Sequence, residues 1–461
     1  MTLPRHVEAP APRGSPGDED PLRIALLTYR GKPHCGGQGV YTRQLSKALT
    51  DLGHHVEVFA GQPYPELDER VALWRLPSLD IFNDHFPGRK PAFWEINTLA
   101  DRIELHSYRF GTFSEPLAFS VRAAAELRRR AGEFDLVHDN QCLGYGLWGI
   151  QRAGLPVIAT IHHPITVDRR LEMAKARDRR ERFGKWRWYS FTRMQTRVAR
   201  RLPRVVTVSE SSRADICRDH RVAPERIAVV PVGVDPEVFR PRSDVARQPD
   251  LIVTTASADV AMKGLQHLLE ALDRLRRAGR DVRLTVIGKL RDDSPTSDSV
   301  ARGSLAGAVR FVSDLSEEEV VALYAEAAVA VVPSLYEGFS LPAIEAMSCS
   351  APLVATTGGA LPEVVGADGE AALLVPPGDA AALAAAIARI LDDAALARRL
   401  GEAGRRRVLE RWSWRLTAER TVEQYRTVLA AAGPVRRIMT RTPDAAAPER
   451  SSRCAERAPL P

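Results

Sequence analysis

Short apolar runs alternate along this chain with stretches of helical period, and the alternation occurs twice. Runs at 23–29, 55–60, 136–138, 157–161, 205–208 and 227–231 in the first half, and at 251–256, 282–288, 309–312, 329–333, 352–356 and 373–375 in the second, are short and mostly apolar, rich in Val, Ile, Leu and Ala. Such runs predict strands buried on both faces, as in a parallel sheet, not half-solvated strands with alternating polarity. Helical patterns lie between them: one ending near Leu52, one from about Gly264 to Arg277, one from Ser316 to Ala327 and a last one from about Trp414 to Ala431. Ser316 with Glu319 forms a capping box at the start of the third. The rhythm predicts an α/β protein of two parallel-sheet units.

Length agrees, since 461 residues exceed one ordinary core. The expected domains are 21–235 and 250–415. They are joined by a linker at 236–249 that holds Pro236, Pro241 and Pro249, and followed by a helix over 416–433. Residues 1–20 and 434–461 are rich in Pro, Arg, Ala and Ser without periodicity and read as disordered tails. A hydrophobic content of 44% with 27% charge is that of a soluble globular protein. No run approaches 18 uncharged apolar residues, and the N-terminus lacks the apolar core of a signal peptide. The five Cys show no paired spacing, which points to reduced thiols, a cytoplasmic location and no metal cage.

Candidate chemistry is concentrated after the run 329–333. Pro342 stands at a plausible first helical position, so Glu337-Gly338-Phe339-Ser340-Leu341-Pro342-Ala343-Ile344-Glu345 reads as a strand–loop–helix crossing. Amides at Gly338, Phe339, Ser340 and Leu341 near a helix N-terminus make an anion site. Glu337 and Glu345 would repel a phosphate, so they are placed on neutral hydroxyls. A glycine loop, Gly36-Gly37-Gln38-Gly39, follows the first strand, where backbone can approach a phosphate closely. Lys263-Gly264 opens a helix after the first strand of the second half, again a place for an anion.

The run Pro333-Ser334-Leu335-Tyr336-Glu337-Gly338-Phe339-Ser340-Leu341-Pro342-Ala343-Ile344-Glu345-Ala346-Met347 resembles the E-x7-E signature of retaining glycosyltransferases of family 4 (group 1). Pro231-Val232-Gly233-Val234-Asp235 and the Gly358-Gly359-Ala360-Leu361-Pro362-Glu363 loop resemble that family too. The resemblance implies the GT-B fold: two Rossmann-like domains facing each other across a deep interdomain cleft, with the C-terminal helix crossing back to the first. It implies transfer of a hexosyl unit, with retention, from a nucleotide-diphosphate sugar to a hydroxyl acceptor, in bacterial glycolipid, cell-envelope polysaccharide or related synthesis. It puts Glu345 on the ribose, Glu337 facing the donor sugar, and the 339–341 amides by sugar and phosphate. Gly37 and Lys263 lie toward the diphosphate, and a histidine of the His162-His163 pair reaches the sugar across the cleft, with His162 favoured. The catalytic set is therefore Glu337, His162 and Lys263, with Gly36, His163 and Trp94 toward the acceptor. One departure is visible: the family's usual Arg five residues before the Lys is Ala258 here, so either Lys289 or Arg291 substitutes or catalysis is weaker or absent. No Asp-x-Asp motif occurs in the folded region, so no cofactor and no divalent metal is expected.

Two further stretches bear on partners. Seven aromatics fall within 82–113, among them Phe82, Phe86, Trp94 and Phe113, and form either a surface that stacks an acceptor or a small subsidiary core. Residues 168–201 hold 13 Lys/Arg against 4 Asp/Glu, a net +9 in a chain of +7. Within them Trp188, Phe191, Met194 and Val198, continued by Leu202, lie on one helical face. This suits peripheral contact with an anionic membrane at the inner face of the plasma membrane, attraction of a phosphate-bearing acceptor, or a core-packed helix with a solvated basic face. The expected partners are a nucleotide-sugar donor and a glycan or lipid-linked acceptor. No RNA-binding motif is present, so nucleic acid is not among them. The competing reading is a non-catalytic GT-B protein that binds a nucleotide or glycan; a nucleotide-sugar epimerase is disfavoured by the Glu-Gly-Phe-Ser-Leu-Pro core.

Overall fold

The computed structural model describes residues 20–31, 37–83, 88–256, 261–290, 295–300 and 303–432. Its first sheet contains β1 (Arg23–Thr28), β2 (His55–Ala60), β3 (Ala72–Arg75), β4 (Leu136–Asn140), β5 (Val157–Ile161), β6 (Arg204–Thr207) and β7 (Ile227–Val229), in the order β3-β2-β1-β4-β5-β6-β7. The second contains β8 (Gln248–Thr255), β9 (Arg283–Ile287), β10 (Val309–Val312), β11 (Ala327–Val332), β12 (Leu353–Thr356) and β13 (Leu373–Val375), in the order β10-β9-β8-β11-β12-β13. Every pairing in both sheets is parallel. The central strands are sealed on both faces: every residue of β4 and of β5 is buried. β3 was not legible as a strand. Ala72-Leu73-Trp74-Arg75 is an exposed edge, and its extended shape comes from pairing with β2.

Strand order reverses between β1 and β4 in the first sheet and between β8 and β11 in the second. At such a point the loops leaving adjacent strands diverge and open a crevice beyond the carboxyl ends. The Glu337 loop leaves β11 and the Lys263 turn follows β8, so both belong to the reversal of the second sheet.

The helix Trp414–Ala432 returns to the first domain. Its Tyr425 hydroxyl lies 2.7 Å from His138 Nδ1, Thr417 Oγ1 donates to the Pro231 carbonyl at 2.9 Å, and Arg204 donates to Gln424 Oε1 at 2.7 Å. One buried apolar cluster runs through Leu26 and Tyr41 of the first domain, Val332 and Ile344 of the second, and Trp414 and Val422 of this helix. The capping box forms as expected: Glu319 N donates to Ser316 Oγ at 3.2 Å, and Ser316 N to Glu319 Oε2 at 2.7 Å.

The aromatic stretch divides. Phe82 sits 5.4–5.5 Å from the rings of Phe113, Tyr108 and Trp188, a subsidiary core with edge and tilted contacts. Trp94 stands outside it, 77% exposed, and Phe86 lies outside the described residues. Of the readings of 168–201, the apolar stripe follows the core-packed one. Phe191, Met194, Val198 and Leu202 are all buried, the last three within the first domain's core, so this apolar stripe is not free to enter a bilayer. Among the described residues no helix is long and apolar enough to cross a membrane.

Candidate active site

The second domain contributes a carboxylate held by two donors. Gly264 adopts φ +64°, and a Cβ there would lie 2.0 Å from the Pro333 carbonyl oxygen, so only glycine lets the Lys263 turn close onto the end of β11. Leu335 N bonds Met262 O at 2.7 Å and completes that contact. Lys263 Nζ consequently reaches Glu337 Oε1 at 2.9 Å, and Ser334 Oγ donates to the same oxygen at 2.6 Å. The ammonium keeps two further N–H donors, and its side chain is 30% exposed.

Beyond Glu337 the loop is strained. Ser340 sits at φ 96°, ψ 86°, ahead of the helix Leu341–Ser348, and its buried hydroxyl has no hydrogen-bond partner. Among the described residues the amides of Gly338, Phe339, Ser340 and Leu341 donate to no protein acceptor. A left-handed non-glycine residue with an orphaned polar atom is the kind of strain retained where a ligand supplies the missing partner. Glu345 lies one turn into the helix in a recess; burial first, and Glu317 second, push its carboxyl up to about 7, while Lys263 opposes them.

The first domain contributes His162, just after β5. Asn140 Nδ2 donates to the Gln38 carbonyl at 3.1 Å and to Thr42 Oγ1 at 3.0 Å. A carbonyl only accepts, so Asn140 turns Oδ1 toward His162, whose Nε2 lies 2.8 Å away. The proton of the neutral ring is therefore on Nε2, and Nδ1 keeps its lone pair. Burial pushes the imidazole down to about 3, with His163 adding to the effect, so it is uncharged near neutrality. Gln141, in the left-handed region at φ 57°, fixes the backbone: its Oε1 accepts from His162 N at 2.7 Å and its Nε2 donates to His163 O at 2.9 Å. His163 turns away and its Nε2 lies 3.0 Å from Asp168 Oδ2.

Docking of the two domains brings these halves together. Ser209 Oγ donates to the Gly338 carbonyl at 2.6 Å, and Ser212 Oγ lies 2.8 Å from His162 O and 3.2 Å from Gly338 O. A Cβ on Gly338 would lie 2.6 Å from His162 O, so the loop's close approach to β5 requires glycine. The helix Glu210–His220 has its first two amides capped from the other domain: Glu363 accepts from Glu210 N at 2.9 Å and Ser211 N at 2.7 Å. Tyr336 hydroxyl reaches Asp215 Oδ2 at 2.5 Å, and Arg43 pairs with Glu317 across the same cleft.

Of the residues singled out in the sequence, Glu337, Gly338, Phe339, Ser340, Leu341, Glu345, Lys263, His162 and His163 are gathered here. Gly37 begins the helix Gly37–Asp51, which also carries Gln38 and Thr42, the partners of Asn140. No contact joins the exposed Trp94 to this set among the described residues. Gly36, Ala258 and Arg291 lie outside the described residues, and Lys289 pairs with Asp314 at 3.1 Å. Asn140, Gln141 and Ser334 were missed. The polar run Asp139-Asn140-Gln141 directly after an apolar strand was the available signal, but only the strand order shows that β4 flanks the reversal.

Residues 240–407 match the model of glycosyl transferases group 1, and residues 35–238 that of glycosyltransferase family 4. A Mycolicibacterium hassiacum protein named MMP alpha-(1->4)-mannosyltransferase is 52% identical over 89% of this chain and 99% of its own. The chain belongs to this glycosyltransferase family. A glycogen synthase from Mycobacterium tuberculosis is 28% identical over 92% of this chain and 98% of its own. Among solved structures, a sucrose-phosphate synthase from Thermosynechococcus elongatus superposes with a TM-score of 0.68 at 25% identity, covering 89% of this chain and all of that one. The fold is accordingly GT-B, and the strained loop after β11 is a loop of a glycosyltransferase.

Proposed function

We propose that this glycosyltransferase moves a mannosyl or closely related hexosyl unit from a nucleoside-diphosphate sugar to a glycan hydroxyl, with retention and without a divalent metal. The observation that carries the reading is the Lys263–Glu337–Ser334 cluster, set beside four unused amides and docked against the strand end that carries His162. Mannose is favoured by the relative that shares half of the sequence.

Departure of the diphosphate builds negative charge on the leaving oxygen. The two remaining N–H donors of Lys263 and the amides at 339–341, at the positive end of the helix Leu341–Ser348, are fixed donors for that charge. Glu345, when ionised, accepts from the two ribose hydroxyls. His162 Nδ1 accepts a hydroxyl hydrogen of the sugar and holds the ring across the cleft. Glu337, neutralised in part by Lys263, faces the same sugar. Retention corresponds to the acceptor oxygen attacking from the face the diphosphate leaves, with its proton passing to the departing phosphate oxygen.

A thermal-shift panel of nucleoside-diphosphate sugars tests the donor. A ligand at a hundred times its dissociation constant stabilises by about 2.7 kcal/mol, a shift of several degrees for domains of this size. Turnover with oligosaccharide acceptors follows, and the anomeric coupling of the product reports retention. Binding without transfer to any glycan would favour a non-catalytic nucleotide-binding protein, and an inverted product would overturn the retaining reading.

A further inference from the structure

Of the stretch 168–201, Asp168 meets His163 of the site above and the apolar stripe is buried, while most of its arginines are unused there. We propose that it contributes to a second, separate site that binds a compact oxyanion of the phosphate or phosphate-ester class. A cleft of about 530 Å³ lies between the helices Ile165–Ala174 and Arg179–Trp188 and the C-terminal end of the helix Glu210–His220. Five arginines line it, Arg169, Arg170, Arg182, Arg218 and Arg221, with Asp219 as the one acidic residue.

That carboxylate is already engaged. Asp219 accepts from Arg170 at 2.6 Å, from Arg218 at 2.9 Å and from the Thr166 hydroxyl, so it holds two guanidinium groups in place and leaves the others uncompensated. Arg169, Arg182 and Arg221 form no ion pair among the described residues. Cations gathered in a concave wall repel one another and focus a positive potential into the space between them. An oxyanion with two or more acceptor oxygens relieves that repulsion and suits the planar fork of arginine.

Backbone geometry is the independent observation. Arg221 ends its helix at φ 54°, ψ 38°, a left-handed position where glycine or asparagine is usual. This turn ends the helix at the wall of the cleft, which Arg221 lines. The cleft is open to solvent, and its volume is sufficient for a small phosphorylated molecule. No residue of the 334–345 loop lines the cleft, and neither does Lys263.

The test is calorimetric titration with inorganic phosphate and, separately, glucose 6-phosphate, on wild type, Arg182→Ser, Arg221→Gly and the exposed control pair Arg398→Ser/Arg399→Ser. Either cleft substitution should weaken binding about tenfold, the worth of one charge-assisted contact, while the control pair leaves it unchanged. Tighter binding of the ester than of phosphate assigns the cleft to a phosphorylated metabolite; equal binding assigns it to free phosphate, and both support an oxyanion site. Glycine relieves the backbone at 221, so Arg221→Gly should raise Tm by about 2 °C while losing affinity, which separates binding from folding. Unchanged binding in both cleft variants, or an equal loss in the control pair, would overturn the proposal.

Discussion

The orientation of His162 depends on one amide, and removing it is the sharpest test of the site. Asn140 accepts from His162 Nε2 at 2.8 Å while donating to Gln38 O and Thr42 Oγ1. Asn140→Leu leaves a buried N–H without an acceptor and frees the ring to flip or change tautomer. An unsatisfied buried donor costs about 1–3 kcal/mol, so kcat/KM should fall roughly ten- to hundredfold if that cost falls on the productive orientation. Loss of the two donated bonds should lower stability by about 2 kcal/mol, or roughly 4–8 °C in Tm.

Asn140→Asp separates position from charge. It retains an acceptor for Nε2–H, but its negative charge raises His162 from about 3 toward neutrality, and protonation occupies the Nδ1 lone pair. Wild-type His162 stays neutral from pH 5 to 9 and contributes no slope there. Activity of the Asp variant should therefore be low at pH 6 and recover toward pH 9. The assay is steady-state transfer from a saturating nucleotide sugar at pH 6, 7.5 and 9, with Tm measured on the same samples. Folded variants that keep kcat/KM within twofold of wild type at every pH would refute the assignment of His162 to the sugar.

Three further outcomes follow from the same geometry. Lys263→Ala should slow turnover by about 10² to 10³ with a smaller loss of donor affinity, because charge on the leaving group peaks in the transition state; wild-type turnover should survive a chelator, and its loss would show metal assistance. Gly338→Ala places a methyl 2.6 Å from the His162 carbonyl, so turnover should drop at least tenfold while each domain stays folded by circular dichroism. Glu345 has a raised carboxyl, at about 7 against 4.5 when unfolded. Its stabilising contribution is thus present below pH 4.5 and lost as pH rises through 7, whereas donor binding needs the ionised form and should tighten from pH 6 to 8. Glu345→Gln should flatten both trends, and an unchanged pH profile in that variant would exclude Glu345 as their source.

The sequence by itself determined the central elements, because a parallel strand buried on both faces is largely apolar. The run at 157–161 coincides with β5, buried throughout, and the run at 55–60 with β2, whose His55 is exposed. It also determined the Glu337–Glu345 loop, whose glycine, proline and carboxylates act within nine consecutive residues. β3 escaped, since its shape comes from a neighbour and not from its own composition. Tertiary structure alone decided which polar groups meet. Asn140 and His162 are 22 residues apart, Lys263 and Glu337 are 74, and Gly338 and Ser209 are 129; their pairing depends on strand order and domain docking, which no local periodicity encodes. It also decided the fate of 168–201. The apolar stripe that could have faced a bilayer turned inward, because the first domain's core offered it a surface, and part of the charge beside it converged on a cleft. Spacing sets which residues share a helix face, but what that face meets is settled by packing free energy summed over the whole domain.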